Sequence, residues 1–366
     1  MSLTVGIVGL PNVGKSTLFN AVSAARAEAA NYPFATIEPN VGIVGVPDAR
    51  LEVLARLVST ARVVPATVKF HDIAGLVKGA SVGEGLGNQF LSHIREVDAI
   101  VHVVRCFDDS DVVHVEGTVD PARDIEIAET ELLLKDLETL ERATQKAARA
   151  ARGGGVDPQE RAAVLERILT HVRAGTAASE VTRMDPAAAA MARELGLLTA
   201  KPVLYAGNVA EDELPDPDSE AVGALRRAAA ERGAKVVLIG AEVEAQIAEL
   251  DPIDRAAFLA ELGLVSSGLD QLIAATYQLL GLITFFTAGP EEVRAWTVRA
   301  GARAPEAAGE IHTDMQRGFI RTEVISYEDF AALGSEQAAR DAGRLRIEGK
   351  DYIVVDGDVI RVRFNV

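Results

Sequence analysis

A short apolar run at 2–8 passes without interruption into the glycine loop GLPNVGKST at 9–17, and LFNAVSAARAEAA then continues as a helix. Strand, tight loop and helix in that order leave the chain little choice. Gly9 and Gly14 let the backbone curl until successive N–H groups face inward, and the positive end of the helix dipole points at the same spot. Such a concavity is made for phosphate. The spacing predicts that Asn12, Val13, Gly14, Lys15, Ser16 and Thr17 hold the phosphates of a nucleotide, with Lys15 reaching the β and γ groups. The Ser16 hydroxyl would bind Mg²⁺, which takes few protein oxygens and keeps several waters.

A second apolar segment, 66–70, leads into HDIAGLVKGASVGEGLGNQF, where an aspartate at a strand end is followed three residues on by glycine. Asp72 is placed to hold Mg²⁺ through a water, and the Gly75 amide to bond the γ-phosphate. Losing that phosphate would then release the stretch carrying Gly79, Gly83, Gly85 and Gly87. Upstream, Thr36 lies in the loop NYPFATIEPN; taken alone it reads as a structural turn residue.

Together, GLPNVGKSTLFNA, NYPFATIEPN, DIAGLVKGAS, YAGNVAE and the C-terminal DGDVIRVRF resemble the Obg-related GTPases, and most closely the Obg-like ATPase (YchF) family. The resemblance spans nearly the whole chain, with the motifs in the family's order. It implies that Thr36 is the switch threonine on Mg²⁺, and that the partner is the ribosome or ribosomal RNA.

Guanine-specific relatives read the base with N-K-x-D, whose aspartate accepts two hydrogen bonds from guanine. After the strand at 201–207, this chain offers Asn208, Val209, Ala210 and Glu211. No lysine flanks the ring, and the carboxylate sits on a longer stem. Because a carboxylate facing adenine N1 would meet another acceptor, an adenine pocket must turn Glu211 aside and use Asn208 and the backbone near Val209. ATP is therefore the expected substrate, with GTP weaker. The segment 236–242 supplies a last strand and a loop, GAE, to back the base.

In Ras-like enzymes a glutamine directly after D-x-x-G orients the attacking water, but here that residue is Leu76. Slow intrinsic turnover follows. His114, in the loop after the strand at 99–105, is the candidate substitute; the competing reading is a histidine that only packs. His71, His93 and His102 lie in apolar or helical settings and read as core or helix residues, and no metal cluster is suggested.

Between 120 and 200 the pattern turns helical, with Leu133, Leu137 and Leu140, a GGG break at 153–155, then Val164, Ile168 and Val172, which reads as an antiparallel hairpin. Arg142, Lys146 and Arg149, with Arg152 following, give its tip a basic face that either touches RNA or is merely solvated. From Leu282 short strands dominate and resemble the TGS domain, a ubiquitin-like β-grasp module. Eleven basic against 14 acidic residues give this end −3, whereas the whole chain carries −17, so any RNA contact must be local. The expected fold is thus α/β: a P-loop NTPase of the Ras-like G-domain type at 1–120 and 200–281, an inserted helical coiled-coil hairpin at 121–199, and a TGS domain at 282–366.

No run approaches the roughly 18 apolar residues of a membrane span, and the N-terminus has no signal-peptide pattern. With Cys106 as the lone cysteine, an intrachain disulfide and a cysteine zinc site are excluded, and that thiol reads as packed core. A soluble, cytoplasmic monomer without a DNA partner is expected. A metabolic P-loop kinase is disfavoured because D-x-x-G and N-x-x-E stand where switch proteins need them. A nucleotide-gated binding module with incidental hydrolysis, or a GTP-preferring enzyme, stays open.

Overall fold

A computed structural model describes residues 3–24, 40–73, 86–109, 112–153, 156–214 and 217–365. The chain forms two compact units, one of Thr4–Gly42 with Phe70–Leu272, the other of Met1–Leu3, Ile43–Lys69 and Ile273–Val366. Its strands are, in chain order, β1 (Thr4–Val8), β2 (Val41–Gly45), β3 (Val63–Val64), β4 (Thr67–Asp72), β5 (Ala99–Arg105), β6 (Val203–Asn208), β7 (Lys235–Ile239), β8 (Leu282–Ala288), β9 (Val293–Arg299), β10 (Phe319–Ser326), β11 (Arg346–Glu348) and β12 (Asp358–Phe364).

In the first sheet the order is β2-β4-β1-β5-β6-β7. Strand β5 is buried along its whole length, which explains its unbroken apolar text: helices cover both faces of a parallel sheet, so alternation has no purpose. Its neighbours run parallel to it, in a register that sets Arg105 beside Asn208 and Asn208 beside Ile239. The loops that leave β5, β6 and β7 therefore emerge at one level of one edge. That edge, the carboxyl end of a parallel sheet, is where such folds bind ligands.

The expected hairpin is present as two helices, Pro121–Ala151 and Val156–Arg173. Asp120 starts the first: its carboxylate accepts the Arg123 N–H at 3.1 Å, and Pro121 follows at the helical position where a missing N–H costs nothing. Leu140, Val164, Leu165, Ile168 and Val172 form the buried seam, with Leu133 and Leu137 packed against it. Asp136 closes the hairpin's base by accepting the Leu198 and Thr199 amides and the Thr199 hydroxyl at 2.7 to 2.8 Å.

The second sheet has the order β11-β10-β12-β8-β9-β3. β8 and β9 pair antiparallel from Leu282↔Arg299 to Ala288↔Val293, and β12 joins β8 in parallel at Val359↔Phe286. A mixed sheet with a helix, Ala304–Ile311, against one face is the β-grasp arrangement, and Phe285, Val298, Ala307, Val324 and Ile360 fill the space between. Phe285 and Phe286 are fully buried and Trp296 is packed beside Phe285, so these aromatics are core. Among the described residues no helix is long and apolar enough to cross a membrane.

Candidate functional site

The glycine loop closes at the start of the helix Lys15–Ala24 with two left-handed residues, Asn12 at φ 63° and Gly14 at φ 91°. Gly14 is required twice over. Besides its backbone angle, a β-carbon there would lie 2.2 Å from Asn208 Nδ2, far inside contact distance. A β-carbon at Gly9 would lie 2.7 Å from the Val103 carbonyl, so β1 can approach β5 only with glycine there. Ser16 is exposed in the first turn of the helix and Thr17 half-buried, leaving the serine hydroxyl accessible beside the free N–H groups.

Lys15 and Asp72 meet directly, Nζ to Oδ1 at 2.5 Å. Asp72 is carried there by the end of β4, where its own N–H bonds the Asn40 carbonyl. The two groups that a Mg-nucleotide would separate thus neutralise each other. Hard oxygen donors in the right place, the Ser16 hydroxyl and the Asp72 carboxylate, suit Mg²⁺. Among the described residues no cluster of three or more His, Cys, Asp or Glu side chains exists that would hold a metal without a phosphate partner. Thr36, Gly75 and Leu76 lie outside the described residues.

A cavity of about 510 Å³ opens beside the loop, walled by Asn12, Gly14 and Thr17, by Phe107, Asp109 and Val112 after β5, by Asn208 to Glu211 after β6, and by Gly240 to Val243 after β7. Asn208 is the joint of this cavity. Its Nδ2 donates to the Val13 carbonyl at 3.0 Å and its Oδ1 accepts the Ala241 N–H at 2.9 Å, all of it buried. A carboxamide so engaged ties the phosphate loop to the β7 loop, and its acceptor is already used. Val209 lines the cavity, yet its side chain is only 3% exposed and packs with Leu225 and Tyr205 in the core. Glu211 is exposed, at the start of a 3-10 turn.

His114 is brought to the same edge but faces away from the cavity. It is buried, its Nε2 is 2.8 Å from Asp124 Oδ2, and its Nδ1 accepts the Glu116 N–H at 3.1 Å. An acceptor at Nδ1 fixes the neutral tautomer, with the proton on Nε2 and donated to Asp124. The preceding carbonyl, Val113 O, accepts the Asn12 side-chain amide at 3.1 Å, so this loop is tied to the phosphate loop.

Cys106 is buried, and burial pushes its thiol up to about 12, so it is an inert packed group. His102 is likewise inside the sheet, against the Tyr205 ring, and desolvation lowers it to about 4. Three residues beside the cavity or its loop escaped sequence reasoning: Arg105, Phe107 and Asp124. Each meets a partner brought close by folding, and only the position of Phe107 after a strand end gave any signal.

A family model described as 50S ribosome-binding GTPase matches residues 4–145, and a model of the YchF GTPase C-terminal domain, described as a protein of unknown function (DUF933), matches residues 282–365. The chain is 53% identical to the "Ribosome-binding ATPase YchF" of Bacillus subtilis over the full length of both. It is 42% identical to the "Obg-like ATPase 1" of Gallus gallus over all of this chain and 93% of the other. The solved structure of the Schizosaccharomyces pombe YchF GTPase superposes with a TM-score of 0.89 at 37% identity, over 99% of this chain and 98% of that one. Full-length identity at this level, with both domain models in place, makes the chain a member of the YchF/Obg-like ATPase family.

Proposed function

We propose that the chain is a slow, Mg²⁺-dependent P-loop ATPase, using GTP more weakly, whose nucleotide state governs its association with the ribosome. The observation that carries the substrate preference is the cavity wall at Val209. A guanine-reading lysine would stand there, and instead a buried valine is packed into the core. Without the lysine and the short aspartate, guanine finds no bidentate acceptor; the Val209 and Ala241 N–H groups are already bonded to the Ile239 carbonyl and Asn208 Oδ1, so an adenine edge would be met by the remaining main-chain groups of 210, 211, 242 and 243 that wall the cavity.

The phosphates lie in the amides of Asn12 to Thr17, and Lys15 leaves Asp72 for the β and γ oxygens. Ser16 and Asp72 would hold Mg²⁺, with Thr36 as a further oxygen donor, and the cation would neutralise charge on the triphosphate. Gly75 bonds the γ-phosphate and couples its loss to the following segment. Water orientation falls to His114, which must first release the Glu116 N–H to free Nδ1. That requirement suits an enzyme whose turnover waits for a partner.

The ribosome is the partner because the Bacillus subtilis relative bears that function in its name and because local basic groups, Lys146, Arg149 and Arg152, stand exposed at the hairpin tip on an otherwise acidic chain. The test is to measure ATP and GTP affinity by calorimetry and turnover of each with and without ribosomes. Tighter ATP binding and ribosome-stimulated hydrolysis are expected. Tighter GTP binding would overturn the base reading, and equal turnover with and without ribosomes the partner.

A further inference from the structure

Among the described residues Arg105 is the largest fully buried side chain, at 1% exposure. Burying a guanidinium is costly unless its N–H groups are met. Here Nε donates to the Phe107 carbonyl at 3.0 Å, Nη1 to the Val112 carbonyl at 2.9 Å and Nη2 to the Asp109 carbonyl at 3.2 Å. The guanidinium carbon also sits 4.4 Å from the centre of the Phe107 ring, at cation–π distance. One planar cation therefore gathers three carbonyls of a single loop and holds an aromatic ring over its face. Phe107, Asp109 and Val112 all wall the cavity beside the glycine loop, and the next carbonyl, Val113 O, receives Asn12 from that loop.

We propose that Arg105 is a positioning residue for the nucleotide base: it holds the carbonyls of Phe107, Asp109 and Val112 so that the Phe107 ring forms a fixed wall of the base cavity. This rests on the reading of that cavity as the base site. Carbonyls that would otherwise point into the cavity or to water are turned toward Arg105, and the ring is stacked from behind, leaving its other face for a ligand. Lysine cannot replace this arrangement, because an ammonium has no planar fork and cannot serve three divergent acceptors while stacking on a ring.

The full-length protein carrying Trp296→Phe and Phe107→Trp provides a reporter at the cavity wall, read by nucleotide-dependent Trp fluorescence. Arg105→Lys and Arg105→Met are then compared with the parent for thermal unfolding, for the ATP dissociation constant by calorimetry, and for single-turnover hydrolysis at saturating ATP. Both variants should fold and lose the fluorescence response, and their ATP dissociation constants should rise roughly 10- to 100-fold, as expected for hydrogen bonds to a charged group. The saturated rate should fall by less than the affinity does. Unchanged ATP affinity and an intact response in Arg105→Lys would overturn the proposal, as would failure of both variants to fold, which would make Arg105 a core residue alone. If the parent reporter binds ATP in the calorimeter without any fluorescence change, the base-site reading is what fails. If Phe107→Ala weakens ATP binding while Arg105→Lys does not, that reading stands and the role of Arg105 falls.

Discussion

His114→Ala isolates the catalytic question. In the described geometry the ring cannot serve a water: Nε2–H is committed to Asp124, and the lone pair on Nδ1 to the Glu116 N–H. Releasing the latter costs about 0.5 to 1.5 kcal/mol, the net value of an ordinary hydrogen bond, or roughly a 2- to 12-fold tax on the rate. A positioned water-orienting group typically contributes about 10²- to 10⁴-fold, so the net loss in His114→Ala should be roughly 10- to 10³-fold. ATP affinity should change by less than about threefold, because a group acting on the attacking water stabilises the transition state and not the ground state. Single-turnover hydrolysis with enzyme in excess, and calorimetry with a non-hydrolysable analogue, separate the two quantities. Asp124→Asn supplies the control: an amide can still hold the ring but can present its N–H to Nε2, inverting the tautomer, so the rate should fall while the protein stays folded. An unaltered single-turnover rate in His114→Ala, or a loss explained wholly by weaker binding, would refute the assignment and leave His114 as the anchor of its loop.

Lys15→Ala and Ser16→Ala should each abolish hydrolysis while leaving the circular dichroism spectrum unchanged, since one is half-buried and one exposed and neither fills a core; full turnover in a folded Lys15→Ala protein would contradict the phosphate site. Asn208→Ala orphans the buried Val13 carbonyl and Ala241 N–H, at about 1 to 3 kcal/mol each. It should lower the urea midpoint and weaken ATP binding together, and an effect on only one of these would break the link drawn between them. His102 is held at about 4 in the fold against 6.5 ordinarily, so the unfolded chain takes up a proton that the folded one refuses. The stability it contributes is complete above about pH 6.5 and is lost as pH falls toward 4, about 2 kcal/mol of it between pH 7 and pH 5. Urea titrations of the parent and His102→Leu at both pH values should show that difference shrinking in the variant.

Much of the fold was legible because its signals are local. The glycine loop between a strand and a helix and the leucine and valine spacing of the hairpin act within a few residues of one another, and the described helices Lys15–Ala24, Pro121–Ala151 and Val156–Arg173 lie where those periods place them. Strand β3 was not legible: two residues, Val63 and Val64, carry no period, and they become a strand only by pairing with Val293 and Arg294, more than two hundred positions away. The short helices Ala178–Thr182 and Pro186–Leu195 could not be separated from the hairpin by pattern alone, because alanine-rich text says helix without saying where it turns.

At the site the same distinction decides what could be read. Lys15, Ser16 and Asp72 are named by motifs whose spacing is itself the geometry, whereas the two main-chain groups that Asn208 bonds, from different loops, are brought to it only by folding. A carboxamide is indistinguishable in sequence whether it faces ligand or backbone; the register that places Asn208 beside Ile239, one residue before the loop it reaches, brings the Ala241 N–H within its range. Arg105 and His114 make the point more sharply. Arg105 ends β5, and in the described part of the segment that follows it the Phe107 and Val113 carbonyls bind Arg105 and Asn12 and the His114 imidazole binds Asp124 at the root of the helical hairpin. That single segment therefore touches the base cavity, the phosphate loop and the first turn of the helix Pro121–Ala151. If nucleotide draws Asn12 away from Val113, the bond that steadies His114's neighbour is lost at the moment when the ring must turn. Disabling that link with Asn12→Ala should then raise the fraction of protein with a free His114, visible as faster exchange of the Glu116 amide in the absence of nucleotide. An exchange rate equal to the parent's would show that the loop is held by Arg105 and Asp124 alone.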